Sequence, residues 1–295
     1  MFDRIFANYL ISTGKLTGKG LAEAYSNMEQ KRVRLGVIAV SEKLMTIEQV
    51  EEVNQLQAIY DKRFGDIAVE KGYLTDEQVG RLLVLQGNGF LTFMQSVVDS
   101  GCMSMTEFND ALDEYQKTNG FTLSNMEDLK SCDIDRIIPI FIYDQPELTQ
   151  RLAGIMIRTI ARLIDYHLFV SAPSVSDTVD YSALCLQELQ GEYRIATALS
   201  GEIDGSMLET AIGFAGSENV TCDEDCLDAL CELINCVNGL LATEMSNRDI
   251  SIDMDAPMST ATPGTLKSKG ILTLPIVIYG QTLNLHIILD QDYTV

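Results

Sequence analysis

Apolar and polar positions follow a helical period in the first part of the chain, and the same pattern returns four times. Segments beginning at Phe6, Leu35, Phe64 and Phe93 start 29 residues apart and carry apolar residues at matching places. In each one a short apolar run is followed by a turn position and then by a hydroxyl residue that can cap a second helix. The pattern predicts four tandem helix–turn–helix repeats.

The turn positions of the four units are Gly14, Lys43, Gly72 and Gly101. Glycine is favoured there because it adopts the left-handed conformation that ends many helices, so we expect slight strain at Lys43. Capping boxes are predicted at three of the second helices, namely Thr46 with Gln49, Thr75 with Gln78, and Ser104 with Glu107. One such unit cannot bury its apolar face alone, so the four copies should pack together.

The pattern changes after residue 117. Residues 118–136 are polar and interrupted by Gly120, which indicates a linker. The remainder shows a helical period over 145–166, strands on both sides of Gly191, and a hairpin near Gly280. The predicted organisation is an all-α tandem-repeat domain at 1–117, a linker at 118–136, and an α+β domain at 137–295 with two long helices and mostly antiparallel strands.

The stretch ALCELINCVNGLLATEM at residues 229–245 predicts one of those helices, and Thr221 with Glu224 predicts a capping box at its start. Its apolar residues form one buried stripe at 100° per residue, and Glu232 points away from that stripe. Asn235 lies on the same outward ridge, which Asp228 and Gly239 continue. The spacing Glu-x-x-Asn also occurs at 51/54 and 244/247, so spacing alone fits an ordinary solvated helix face as well as a functional pair.

Charge and composition narrow the functional classes. The 295 residues carry a net charge of −22. Residues 131–295 hold 8 basic and 24 acidic groups, so this half would repel nucleic acid and anionic membranes and would suit a partner with a positive surface. No apolar run reaches the length of a membrane span and no signal peptide is evident, which indicates a cytoplasmic protein. Seven cysteines occur without a CxxC pair, so we expect free thiols and no metal site.

From Ser200 onward the sequence resembles the CheX/CheC chemotaxis phosphatase family. The likeness is carried by LSGEIDGSM, by the ELIN helix with Gly239, by the strand ending in DMDAP, and by KSKGILTLPIVI followed by LNLHIIL. The resemblance implies a phosphatase of an aspartyl-phosphorylated, CheY-like receiver domain, with Asn235 orienting the attacking water and Glu232 engaging the receiver's lysine. It implies no cofactor of the protein's own and a metal ion on the receiver. It also allows a homodimer, although the chain between Gly205 and Glu232 looks too short for the extra helix that the resemblance implies there. The alternative is a receiver-binding adaptor that does not hydrolyse the phosphate.

The repeats resemble the MshEN-type N-terminal domain of type II secretion and pilus ATPases. In the second copy the matching residues are Arg34, Leu35, Gly36 and Gln57, and in the third they are Arg63, Gly65 and Gln86. The resemblance implies that these residues bind cyclic di-GMP, which would make this half of the chain a regulatory or docking module. Arginine can form paired hydrogen bonds with phosphate or a guanine edge, and glycine lets a ligand approach the backbone. A protein-docking or purely structural helical module remains the alternative.

Overall fold

The computed structural model describes residues 1–28, 33–60 and 62–295. The chain forms two compact units. One spans Phe2–Cys132, and the other spans Asp133–Val295 together with Met1.

The N-terminal unit is helical throughout its described residues. Its first eight helices come in four pairs, each joined by a short turn, and a ninth helix follows. Their bounds are α1 Phe2–Ser12, α2 Gly18–Met28, α3 Leu35–Ser41, α4 Ile47–Tyr60, α5 Phe64–Glu70, α6 Asp76–Val84, α7 Gly89–Asp99, α8 Met105–Asn119 and α9 Leu123–Lys130.

The turn inside each helix pair contains one residue with left-handed backbone. These residues are Gly14, Lys43, Gly72 and Gly101, with φ between 56° and 73°. The amide of each of these residues donates back to the first helix; Gly14 N, for example, lies 2.9 Å from Ile11 O. Lys43 adopts this conformation with a side chain, which is the strained case expected from the sequence.

A hydroxyl side chain caps the second helix of each pair. The hydroxyl oxygen accepts from the backbone amide three residues later, and in three pairs the later side chain also accepts from the hydroxyl residue's own amide. The three reciprocal pairs are Thr46 with Gln49, Thr75 with Gln78 and Ser104 with Glu107. In the first pair, Thr17 Oγ1 accepts from Gly20 N at 3.1 Å.

Residues 118–136, whose composition indicates a linker, contain α9 and the first residues of α10. Thr122 caps α9 through a reciprocal pair with Asn125. Met126 and Leu129 are buried on its inner side, at 5% and 0% exposure. A capped helix with an apolar side explains why this polar stretch is ordered.

The C-terminal unit combines four helices with an antiparallel sheet. The helices are α10 Ile134–Phe141, α11 Glu147–Leu163, α12 Leu208–Ala215 and α13 Asp223–Ser246. α12 lies between Gly205 and Glu232, so the expectation that this segment is too short for a helix is wrong. Eight residues suffice for two turns, and Gly216, with φ 89°, ends the helix within the available length.

Nine strands form the sheet of this fully described unit. They are β1 Phe169–Val170, β2 Ser174–Tyr181, β3 Ala183–Gly191, β4 Ile195–Gly201, β5 Ile252–Met254, β6 Met258–Thr260, β7 Gly264–Ile278, β8 Gln281–Leu289 and β9 Tyr293–Thr294. Its main path runs β1-β7-β8-β4-β3-β5, while β2 and β9 also pair with β7 and β6 pairs with β3. The predicted hairpin joins β7 to β8 through Tyr279 and Gly280, both with positive φ.

The sheet has an apolar core on each face. One cluster contains Leu184 and Leu186 of β3 with side chains of β4, β7 and β8. The other contains Leu189 and Ile195 and packs against Leu152 of α11 and Leu241 of α13. Because side chains alternate along β3, the residues between Leu184, Leu186 and Glu188 face the helices. This places Cys185 and Gln187 beneath α13.

Candidate functional site

The long helix α13 carries the candidate pair. Its inner stripe is buried as expected from the sequence, with Leu227, Leu230, Ile234, Val237 and Leu241 between 0% and 9% exposed. Glu232 and Asp228 are exposed on the opposite side, and Asn235 is half-buried beside them. The helix therefore presents Glu232 and Asn235 along one ridge, one turn apart.

The start of α13 differs from its sequence prediction. Thr221 and Glu224 do not form the expected capping box. The helix begins at Asp223, and both Thr221 N and Thr221 Oγ1 donate to Asp225 Oδ2, at 2.9 and 2.6 Å. An acidic first turn explains the exchange, because the carboxylate at Asp225 is a stronger acceptor than a hydroxyl and also suits the positive helix end. These hydrogen bonds hold the pKa of Asp225 below its usual value.

The amide of Asn235 is anchored from below. Asn235 Oδ1 accepts a hydrogen bond from Gln187 Nε2 at 2.8 Å. The same nitrogen donates to the backbone oxygen of Asp255, also at 2.8 Å. Gln187 is 1% exposed on β3, so a side chain in the sheet interior holds one end of an amide at the surface.

The network continues beneath the helix. Asn238 Nδ2 donates to Gln187 Oε1 and to Thr197 Oγ1, each at 2.8 Å. Asn238 and Thr197 are both fully buried. These three polar residues were not predicted from the sequence. Asn238 is the signal in the sequence that could have indicated them. It lies three residues after Asn235, near the edge of the apolar stripe of α13, and a buried amide needs a polar partner.

The ridge has open space beside it. A Cβ built on Gly239 would lie 3.8 Å from Met254 Cε, its nearest neighbour, so the helix surface is low at this position. Met254 and Met258 are 40% and 46% exposed on β5 and β6. Methionine side chains adapt to varied surfaces, which is common where proteins dock.

Two thiols lie next to the candidate pair on α13. Cys231 shares a hydrogen bond with Cys185, which lowers the pKa of Cys231 to about 7 and raises that of Cys185. Burial, and secondarily the charge of Glu232, raises the pKa of Cys236. Among residues 1–28, 33–60 and 62–295, no cluster of three or more His, Cys, Asp or Glu is arranged to hold a metal.

The candidate nucleotide residues of the N-terminal unit bond largely to the protein itself. The exposed guanidinium of Arg34 forms an ion pair with Asp99, and Arg34 N donates to Gln95 Oε1 at 2.6 Å. Gln86 Nε2 donates to Val33 O at 2.7 Å, immediately before Arg34. Gln57 Nε2 donates to Lys62 O at 3.3 Å, immediately before the exposed Arg63. Gln57 of the second copy therefore supports the residue before Arg63 of the third copy, and Gln86 of the third copy supports the residue before Arg34 of the second.

Gly36 and Gly65 have a packing role in the same region. A Cβ on Gly36 would lie 2.6 Å from Val50 Cγ1, and one on Gly65 would lie 2.8 Å from Val79 Cγ1. Both distances are too short for real contacts, so the first helix of each copy needs glycine where it crosses the second. Leu35 lies half-buried next to Gly36.

Comparisons with known proteins match about half of this chain. CheX of Desulfovibrio desulfuricans aligns at 11% identity over 49% of this chain and 99% of its own, with a TM-score of 0.43. CheX of Vibrio vulnificus aligns at 16% identity over 47% and 95%, with a TM-score of 0.40. CheX of Borrelia burgdorferi, solved in complex with CheY, BeF3 and Mg²⁺, aligns at 12% identity over 49% and 99%, with a TM-score of 0.40. No protein-family model and no curated protein sequence matches.

Of the described residues, α13 is also the one helix long and apolar enough to cross a bilayer, with a mean hydropathy of 1.3. Core helices of folded domains meet the same two criteria. Here the apolar stripe of α13 packs beside α11 and against β3, in the same cluster as Leu189.

Proposed function

We propose that the C-terminal unit is a phosphatase of an aspartyl-phosphorylated receiver domain of the CheY type. The observation that carries the proposal is the half-exposed amide of Asn235, which lies one turn from the exposed Glu232 and is fixed at 2.8 Å by a buried glutamine. An amide held in one position at a surface can place a water molecule on a partner's phosphorus. The resemblance in sequence to the CheX/CheC family supports a receiver domain as that partner.

In the proposed reaction, the water oxygen forms a bond to phosphorus as the bond between phosphorus and the receiver's carboxylate breaks. The products are the free aspartate and inorganic phosphate. The receiver's own metal ion balances charge on the phosphoryl oxygens, so this chain supplies positioning. Asn235 orients the water, and Glu232 binds the receiver's active-site lysine.

The surface around the ridge suits such a partner. The low position at Gly239 lets a second protein approach α13 closely, and Met254 and Met258 offer adaptable apolar contacts beside it. The surplus of acidic groups in residues 131–295 favours a receiver with a positive surface.

For the N-terminal unit we infer that its four helix pairs are copies of one unit, because turns and caps recur at the same 29-residue spacing. We propose that this unit regulates or docks. Binding of cyclic di-GMP is the specific ligand hypothesis for Arg34, Arg63 and their neighbours.

The test uses the full chain with CheY-like receivers from the same organism, phosphorylated by a small phosphodonor in Mg²⁺. Loss of receiver phosphate is followed with wild type, Asn235→Ala and Glu232→Ala. Removing one transition-state contact should raise the barrier by about 2–4 kcal/mol, a rate loss on the order of 30- to 1,000-fold for Asn235→Ala. Glu232→Ala should weaken receiver binding as well as turnover.

Asn54→Ala is the matched control, since Glu51 and Asn54 repeat the same spacing on α4. Its rate should equal that of wild type. Receiver binding without any acceleration of phosphate loss would assign the chain to the adaptor class, and equal rates for wild type and Asn235→Ala would remove Asn235 from the catalytic role.

A further inference from the structure

Three buried polar side chains lie directly beneath the candidate site and do not reach the surface. Gln187, Thr197 and Asn238 are each 1% exposed or less, in a layer otherwise filled by apolar residues. Burying a polar side chain has a free-energy cost unless it is hydrogen-bonded, so three together need a reason beyond packing. Their hydrogen bonds form one chain that runs from Thr197 through Asn238 and Gln187 to Asn235.

The direction of these hydrogen bonds is set by one backbone atom. The carbonyl oxygen of Asp255 can only accept, so the side-chain group that Gln187 turns toward it must be Nε2. Gln187 Oε1 then faces inward, where Asn238 Nδ2 meets it at 2.8 Å. The other proton of Gln187 Nε2 points at Asn235, whose side chain must therefore accept this hydrogen bond through Oδ1.

We propose that Gln187 is a positioning residue that fixes which end of the Asn235 amide faces a bound partner. Asn235 Oδ1 is held inward, so its NH2 group projects from the ridge. The role of this orientation rests on the proposed function: the NH2 group can donate a hydrogen bond to the oxygen of the attacking water. A freely rotating amide would spend part of its time with the ends exchanged.

The same strand provides a matched control. Gln190 is exposed on β3, and its Nε2 donates to the side chain of Asp255 at 2.9 Å. It therefore has the same residue type, strand and partner residue as Gln187, without a bond to Asn235. Replacing Gln190 with leucine removes a glutamine of β3 and its bond to Asp255 while leaving the contact between Gln187 and Asn235 intact.

The first experiment needs no receiver and uses nuclear magnetic resonance of side-chain amides in the full-length wild-type chain. Both Gln187 Nε2 protons are engaged and buried, so they should exchange slowly with water, while the Asn235 Nδ2 protons should exchange quickly. The Asn235 side chain should be rigid on the picosecond–nanosecond timescale. Slow exchange at Asn235 with fast exchange at Gln187 would mean the opposite orientation and would overturn the proposal.

The second experiment compares Gln187→Met with Gln190→Leu. Gln187→Met keeps the side-chain length and removes the donors, so Asn235 should become mobile and kcat should fall roughly tenfold or more. KM for the phosphorylated receiver should stay within about twofold, because the ridge itself is unchanged. Gln190→Leu should leave all three quantities as in wild type. A rigid Asn235 or an unchanged kcat in a folded Gln187→Met variant would contradict the proposal.

The two proposals fail in different ways. If wild type shows the expected exchange pattern but does not dephosphorylate any receiver, the positioning network stands and the phosphatase assignment is lost. If wild type is active and Asn235→Ala is not, yet Gln187→Met matches wild type, the phosphatase assignment stands and the positioning role is lost.

Discussion

The two units treat their candidate polar residues in opposite ways. On α13, Asn235 is tied to the interior by its oxygen and leaves its NH2 group toward solvent. In the N-terminal unit, Gln57 and Gln86 donate to backbone oxygens of the protein itself, and the guanidinium of Arg34 pairs with Asp99. Both sets of residues were predicted from motifs in the sequence. The difference teaches that a motif's value as a site depends on which hydrogen-bonding groups remain directed outward.

The units also differ in what they bury. Beneath its ridge the C-terminal unit holds fully buried amides, and its sheet holds a buried histidine. The N-terminal unit closes its polar contacts mainly at helix ends and loops, as in the reciprocal pair of Thr75 and Gln78. Buried polar groups are costly unless every partner is in place. We therefore expect the C-terminal unit to be the more sensitive to pH and to changes of single polar atoms.

Acidification should lower the stability of the C-terminal unit more than that of the N-terminal unit, mainly because of His286. Its Nε2 lies 2.8 Å from Ser200 Oγ and its Nδ1 lies 2.9 Å from Thr273 Oγ1. Burial lowers the pKa of His286 to about 4 from 6.5. The folded state therefore keeps the ring neutral while the unfolded state takes up a proton below about pH 6.5. This contribution to stability is complete above pH 6.5 and is lost as the pH falls toward 4, by about 3 kcal/mol in total.

The measurement is denaturant unfolding of the full chain between pH 4 and 7, with His286→Gln as the comparison. Glutamine can bond to both hydroxyls and does not titrate, so the difference in pH slope between the two proteins isolates the histidine. Both histidines of the chain, His167 and His286, belong to the C-terminal unit. The stability of the N-terminal unit therefore has no contribution from histidine titration. Parallel slopes for wild type and variant would contradict the buried neutral ring.

Binding of cyclic di-GMP would remove this difference between the two units, because the polar residues of the N-terminal unit would then also serve a ligand. Binding through Arg34 requires that its guanidinium exchange Asp99 for a phosphate or a guanine edge. Arg34→Ala and Arg63→Ala should then each weaken binding by roughly 1.5–3 kcal/mol, the scale of a charged hydrogen bond. Asp99→Asn should strengthen binding, because the competing charge is gone. Calorimetric titration of the full chain decides, and an absence of heat at high micromolar ligand would leave these residues with a structural role.

The sequence identified the parts of both units that depend on periodic patterns. Helix α13 was predictable because its buried stripe and exposed ridge repeat at the helical period, and the turn at Lys43 because a capped helix follows it. Strand β2 was missed because most of its side chains are polar and exposed, and its three apolar residues, Val175, Val179 and Tyr181, make only a weak strand pattern. Gln187 was missed for a different reason. Its role depends on Asn235, 48 residues away, and only the pairing of β3 beneath α13 brings the two together.

The smallest expected effects are changes in stability caused by replacing glycines of the N-terminal unit. They test whether Gly36 is needed because the helices pack closely there. An added Cβ would lie 2.6 Å from Val50 Cγ1 and 3.1 Å from the ring of Phe64, so Gly36→Ala should destabilise the unit by about 1–3 kcal/mol. Trimming the neighbour in Gly36→Ala/Val50→Ala should recover part of the loss. Gly80→Ala is the control, because its Cβ meets nothing within 4 Å on helix α6, and it should stabilise the unit by about 0.4–1 kcal/mol. Thermal and denaturant unfolding measure all three. A Gly36→Ala protein as stable as wild type would show that the helix crossing has room for a side chain, and the case for glycine there would pass from packing to the approach of a ligand.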